Sequence, residues 1–282
     1  MTVKKLGWEK CPDGNAQLYM DKCKLFVADE KSFANFKRDK DYGKILEGGE
    51  KIVGEIALKG ILKMKGQTIL LDNLKKFKEN EMYGNPILHE YELTGPMVPS
   101  TLRYVNTYLE VKELTKDHKL KKIVEVGGGY GGLCKTISVL ENFDEYTMVD
   151  LPPAIALCQK YLNHFDSIKN KIKYISCEDI KSLEAITDVD LFISDSALAE
   201  CDLETQILYT KTIAKKSKFI YVNFNTLHIK SAAKEMKLFI KSFPNKKVQT
   251  YQSGMVTAII IDTTKEASPK FFSIKGLIKK FT

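Results

Sequence analysis

Arginine is almost absent from this chain. Of 44 basic residues in 282, only Arg38 and Arg103 are arginine, and the others are lysine. Sites that grip phosphates or base edges favour the planar guanidinium fork. The net charge of +8 therefore reads as a lysine-rich solvated surface, and no nucleic-acid partner is expected. Long apolar runs are also missing. The longest, such as Met255-Val256-Thr257-Ala258-Ile259-Ile260-Ile261, has the length of a strand and falls short of the ~20 residues of a membrane helix. That excludes stable membrane insertion as an expectation. The first residues, Met1 to Glu9, lack an apolar segment followed by small residues, so no signal peptide is expected. Cysteine is present but unpaired in spacing: Cys11, Cys23, Cys134, Cys158, Cys177 and Cys201 are scattered. This excludes a disulfide frame or a zinc site, implies no metal, and suits a reducing cytoplasm.

What is present is organised around Lys121-Lys122-Ile123-Val124-Glu125-Val126-Gly127-Gly128-Gly129-Tyr130-Gly131-Gly132-Leu133. A short apolar run stops near an acid, glycines follow, and a helix opens. Glycines cluster so where a strand turns sharply into a helix and a ligand approaches the backbone. A second run, Tyr146 to Val149, ends at Asp150, 23 positions after Gly127. That is close to the ~20-residue offset at which a second strand offers a carboxylate to ribose hydroxyls. Asp150 could equally cap the helix opened by Pro152-Pro153, and a plain tight turn without a ligand is the bland alternative for the glycines.

The rhythm continues downstream. Strands are expected at Ile172–Ser176, Leu191–Ser194 and Phe219–Phe224, with helices from Pro152, over Leu203–Lys216 and over Ser231–Phe243. A hairpin closes the series, with Lys247–Tyr251 and Met255–Asp262 joined through Gln252-Ser253-Gly254. This gives an α/β fold: a doubly wound, mostly parallel seven-stranded sheet with an antiparallel C-terminal hairpin. Upstream, Ser32–Lys37 and Ile69–Phe77 read as short helices, with turns at Gly48-Gly49 and from Gly60 to Gly66. The expected division is an N-terminal helical layer over 1–98, a nucleoside-binding domain over 99–264 and a basic tail over 265–282. Ser100 is expected to cap a helix carrying Leu102, Val105 and Leu109 on its apolar face.

Gly127, Gly129 and Gly132 fit the dinucleotide pattern, which alone is weak. Glu125, Gly127, Gly129 and Gly131 also fit an acid-x-Gly-x-Gly-x-Gly arrangement. An acid there repels a diphosphate and welcomes a cationic ligand. Together with Asp150-Leu151-Pro152-Pro153, Asp195-Ser196-Ala197-Leu198-Ala199-Glu200 and Pro99-Ser100-Thr101-Leu102-Arg103-Tyr104, the block resembles the sugar O-methyltransferases of surface-glycan gene clusters, over roughly residues 90–262. The resemblance implies a Rossmann-like class I methyltransferase fold, S-adenosylmethionine as cofactor and methyl donor, and a small-molecule or glycan acceptor. It implies that Glu125, Gly127, Gly128, Gly129 and Tyr130 line the methionine and ribose, with Asp150 and Leu151 at the ribose. Glu178 or Asp179 would receive the adenine amino group, or be ordinary loop acids. Ser194 leaves the fourth strand at the edge where ligands bind. The family more often carries asparagine and serine where Asp195 and Ala199 stand here.

A sugar hydroxyl needs a positioned base. His228, after the fifth strand, competes for that role with Asp195 and Glu200, and could instead be a hydrogen-bonded loop histidine. His118 and His164 read as solvated, and His89 reaches the site only if the helical layer folds over it. Arg103, in so arginine-poor a chain, is expected either to face the cofactor or acceptor or to pair with an acid such as Glu92. Two other functions stay open on these residues: a nicotinamide-dependent oxidoreductase, and a non-catalytic relative that binds a ligand. A homo-oligomer is compatible with the composition.

Overall fold

A computed structural model describes residues 16–44, 49–116, 118–225, 232–253 and 256–266. In chain order, the N-terminal layer comprises α1 (Ala16–Ala28), α2 (Glu30–Phe33), α3 (Lys40–Tyr42), α4 (Lys51–Lys63), α5 (Gln67–Asp72) and α6 (Leu74–Lys78). A small antiparallel hairpin follows, β1 (His89–Tyr91) with β2 (Gly95–Met97). Then come α7 (Pro99–Thr115), β3 (Lys122–Val126), α8 (Gly132–Leu140), β4 (Glu145–Asp150), α9 (Pro152–Leu162) and β5 (Ile172–Ser176). The remainder is α10 (Ile180–Ala185), β6 (Val189–Asp195), α11 (Ala197–Glu200), α12 (Leu203–Thr212), β7 (Ser217–Asn225), α13 (Ala232–Lys241), β8 (Lys246–Ser253) and β9 (Val256–Glu266).

The large sheet has the order β5-β4-β3-β6-β7-β9-β8. The first five strands in that order run parallel, and β9 pairs antiparallel with both β7 and β8. This is the expected doubly wound sheet with its antiparallel C-terminal hairpin. Parallel strands covered on both faces must be apolar nearly throughout. Accordingly Leu191, Phe192 and Ile193 of β6 are buried, as are Ile259, Ile260 and Ile261 of β9. Strand order reverses at β3, which lies between β4 and β6. Ligands bind at the carboxyl ends of strands beside such a reversal. The residues there are Val126, Asp150 and Asp195 with the glycine turn between them. Among the described residues, no helix is long and apolar enough to cross a membrane.

Two local expectations are corrected. Gly60 lies inside α4, not in a turn, because the helix needs it for close packing: a Cβ there would stand 2.1 Å from Asn106 Oδ1 of α7. Gly54 serves the same purpose against Tyr91. Ser100 does not cap α7. The helix starts at Pro99 with Val98 as its cap residue; proline's fixed φ suits a first turn, and the Glu81 carboxylate accepts from the Val98 N–H at 2.8 Å. In addition, α12 stops at Thr212 and a 3-10 turn over Ala214–Lys216 completes that segment.

The helical layer is fastened to the sheet domain by an aromatic network. Phe36 is fully buried, with ring centroids 5.5 Å from Phe33, 5.7 Å from Tyr42 and 5.4 Å from Tyr130 in the glycine turn. Tyr130 stands 5.0 Å from Tyr161 of α9, edge to face. The Lys37 ammonium lies over the Tyr130 ring at 4.3 Å and donates to the Asn80 carbonyl. α1 packs on α9, which brings the layer over the end of β4.

Candidate functional site

The site is built where β3 turns into α8. Backbone φ is positive at Gly127, Gly129 and Gly131, a region from which side chains are largely excluded. Gly127 has a second reason to be glycine: a Cβ would lie 1.9 Å from the Ala197 Cβ. The turn after β3 and the start of α11 after β6 therefore meet across the carboxyl edge. Ser194 ties the same two strands. Its hydroxyl donates to the Val126 carbonyl at 2.9 Å and accepts from the Leu198 N–H at 2.9 Å. Fully buried, Ser194 is engaged with backbone on both sides.

Glu125 is buried one residue before the end of β3. Tyr146 of β4 donates to its Oε2 at 2.7 Å. Burial pushes the Glu125 carboxyl up to about 8, helped by the charges of Asp195 and Asp150 and opposed by the Tyr146 hydrogen bond. Asp150 accepts from the Gly129 N–H at 3.1 Å and the Leu151 N–H at 2.7 Å. It thus braces the glycine turn. It makes no cap of α9, whose cap residue Leu151 has no side-chain bond of that kind. Burial pushes Asp150 up to about 6 despite these two donors. From the helical layer, Tyr19 and Cys23 come near enough for Asp150's charge to add to burial in raising both.

Asp195 ends β6 with its side chain 5% exposed. Arg103 of α7 donates to its Oδ2, and Asn223 of β7 donates to its Oδ1 at 2.9 Å. Arg103 thus has an acid partner, Asp195 and not Glu92, while its guanidinium also lies 4.8 Å from the Tyr104 ring centre. Burial works against the Arg103 charge, and Asp195 more than offsets it, so its pKa is raised. Ser196, next in the chain, holds φ +81°, a strained value for a side-chain-bearing residue. Glu200 closes α11 and is exposed.

Other expected site residues are further apart. Glu178 and Asp179 are exposed after β5. Asp179 caps α10, accepting from the Ser182 N–H at 3.1 Å and its hydroxyl at 2.6 Å, so its carboxyl is lowered by the Ser182 hydroxyl. His228 lies outside the described residues. His164 is exposed yet stacked on Tyr83 at 4.1 Å. The His89 Nε2–H donates to the Gly49 carbonyl at 2.7 Å. His118 packs edge-on to Phe219.

One group escapes a reading from sequence. Glu110 of α7 is buried, accepting from Tyr221 at 2.9 Å and Asn106 at 2.9 Å. Burial pushes its carboxyl up to about 7, with Asp195's charge adding. The available signal was spacing: Arg103, Asn106 and Glu110 recur at i, i+3 and i+7, one helix face. Tyr146 gave none until the register paired Ile123 with it.

The arrangement tests what it can hold. Three carboxyls with little exposure, Glu125, Asp150 and Asp195, gather at this edge, and Arg103 pairs with Asp195. Burial disfavours the ionised forms of Glu125 and Asp150, so a cation would relieve them and a diphosphate would not. Such a set of carboxyls fits the cationic methionine end of S-adenosylmethionine.

The spermine/spermidine synthase domain model matches residues 104–270. The chain belongs to this family. The match begins within α7 and takes in the whole seven-stranded sheet. Solved structures are more distant. The methyltransferase domain of bacterial CtHen1 is 14% identical, with 57% of this chain and 97% of that chain covered and a TM-score of 0.46. TrmK of M. capricolum, solved with S-adenosyl-homocysteine, is 14% identical over 61% of this chain and 80% of its own, at a TM-score of 0.41. The pyocyanin biosynthetic protein PhzM is 15% identical over 58% and 57%, at 0.43. No curated protein sequence matches.

Proposed function

We propose that the chain is an S-adenosylmethionine-dependent O-methyltransferase that acts on a hydroxyl of a sugar or related surface-glycan precursor. The observation that carries the cofactor is the pairing of Glu125 and Asp150 around the glycine turn, both buried and both raised. A nicotinamide dinucleotide would bring its diphosphate against these acids, which weighs against the oxidoreductase reading.

When bound, the cofactor supplies an activated methyl group on a sulfonium. The chain's own residues orient and deprotonate. Glu125 and Asp150 hold the cationic and ribose ends, and Gly127 to Tyr130 shape the cradle. Both Asp195 carboxylate oxygens are engaged, by Arg103 and by Asn223, so Asp195 orients the acceptor side. The proton of the acceptor hydroxyl goes to Glu200 or His228. Buried surroundings keep water from competing and strengthen each electrostatic contact.

The family description favours one second reading, group transfer to an amine acceptor in the same acid-rich site. The test is calorimetry with S-adenosyl-homocysteine, followed by screening nucleotide sugars, capsule fragments and polyamines for group transfer by mass. Binding of the adenosyl ligand with methylated sugar supports the proposal, and a modified amine with unmodified sugars replaces the acceptor class. Tight nicotinamide binding without a response to S-adenosyl-homocysteine overturns it.

A further inference from the structure

Asn223 ends the pairing of β7 with β6, in register with Asp195, while β7 goes on pairing with β9 to Asn225. The residue is 9% exposed. Nδ2 donates to Asp195 Oδ1 at 2.9 Å, whereas Oδ1 is buried and has no hydrogen-bond partner among the described residues. Buried polar atoms left this way are rare and ask for an explanation.

The orientation is not arbitrary. An ionised carboxylate only accepts hydrogen bonds, so turning the amide over would set two acceptors face to face. Arg103 holds the other Asp195 oxygen and keeps the carboxylate in place. The chain Arg103–Asp195–Asn223 therefore fixes one carbonyl oxygen at the carboxyl edge of the sheet, where a ligand of an open α/β sheet binds. The other orphaned amide oxygen of the region, Asn106 Oδ1, has a packing explanation, because it abuts Gly60 of α4. Asn223 Oδ1 has none.

We infer that Asn223 Oδ1 is the acceptor-side contact of the site, taking a hydrogen bond from an O–H or N–H donor of the substrate, with Asp195 as the residue that orients it. This rests on the proposed transferase site. It also selects chemistry: a substrate offering a donor at that point, from a group other than the reacting hydroxyl, is accepted, and one offering only an acceptor, such as a carboxylate, is rejected.

The test uses two probes, methyl α-D-glucopyranoside for hydroxyl donors and putrescine for ammonium donors. Binding to the full chain is measured by calorimetry with S-adenosyl-homocysteine present, alongside melting temperatures. The parent should bind at least one probe at millimolar concentration, and the probe that binds identifies the donor. Asn223→Ala should weaken that probe about tenfold, the loss of one buried hydrogen bond, with parental S-adenosyl-homocysteine affinity and a lower melting temperature, because Asp195 Oδ1 loses its amide donor. Asp195→Asn is nearly isosteric and covers the case in which Asn223→Ala does not fold. Its new amide can donate to Asn223 Oδ1, turning the Asn223 NH₂ outward, so donor probes should weaken while acetate binding appears. Unchanged probe binding in either folded variant overturns the inference. So does a loss of S-adenosyl-homocysteine affinity that parallels the probe loss, or the failure of both probes on the parent. If S-adenosyl-homocysteine does not bind the parent, the methyltransferase reading fails, and Asn223 is judged by the probes alone.

Discussion

Arg103 and Asp195, 92 residues apart in the chain, join the first helix of the sheet domain to the end of β6. The acid is almost fully buried and the arginine about one-third exposed. Removing one partner of such a pair costs more than the pair's net worth, because the remaining charge is stranded.

Arg103→Ala should therefore lower stability by about 1–3 kcal/mol, read from denaturant or thermal unfolding. Arg103→Lys keeps the charge but loses the planar fork, and a smaller loss is expected. A parental melting temperature for Arg103→Ala would show that the pair contributes nothing to the fold.

Two glycines with positive φ separate backbone strain from close approach. Gly95 has φ +66° with nothing within 4 Å of an added Cβ, whereas Gly127 has φ +79° and an added Cβ 1.9 Å from Ala197. Gly95→Ala should cost about 1 kcal/mol through strain alone. Gly127→Ala must also push α11 off the turn, so it should destabilise more and abolish S-adenosyl-homocysteine binding. Equal effects of the two substitutions would mean that α11 gives way freely.

The parallel strands and closing hairpin were legible because buried strands read as short apolar runs between turn residues. The glycine turn and Asp150 were legible because chemistry and spacing coincide there. The helix α4 was not, since Gly54 and Gly60 act through tertiary contacts with Tyr91 and Asn106 that no local pattern encodes. Asp195 stood out in the sequence by its position after a strand. Arg103 stood out by the scarcity of arginine, but its partner Asp195 did not follow from sequence, and Asn223 was separable from an ordinary strand residue only after the register of β6 with β7 was known.

Burial raises three acids above their unfolded values, to about 8 for Glu125, about 7 for Glu110 and about 6 for Asp150. The folded chain then holds more protons than the unfolded one, so their contribution to stability is full below about pH 4 and falls as pH rises toward 8. A cationic ligand favours the ionised forms. S-adenosylmethionine should bind more tightly as pH rises from about 6 to 8, releasing protons on the way. Calorimetry in buffers of different ionisation enthalpy reads that release. Glu125→Gln should remove the upper part of the pH dependence, and an unchanged profile would take Glu125 out of the titration.

The helical layer can be tested through Phe36, whose ring touches both the layer and the cradle. It is fully buried, 5.9 Å from Phe26 and 6.1 Å from Tyr161, and 5.4 Å from Tyr130, which follows Gly129 directly. Phe36→Ala leaves a cavity among these rings and should cost about 3–5 kcal/mol. That loss alone would not distinguish scaffold from site. Phe36→Leu keeps most of the volume and removes the edge-to-face contacts, at about 1 kcal/mol, so the chain stays folded while Tyr130 loses its lateral support. If the layer shapes the cradle, S-adenosyl-homocysteine affinity should fall several-fold in Phe36→Leu. It should fall no further when Tyr130→Phe is added, because both changes act through one contact chain. A lower melting temperature with parental affinity would instead assign the layer to stability, leaving the glycine turn to be held by Asp150 and α11.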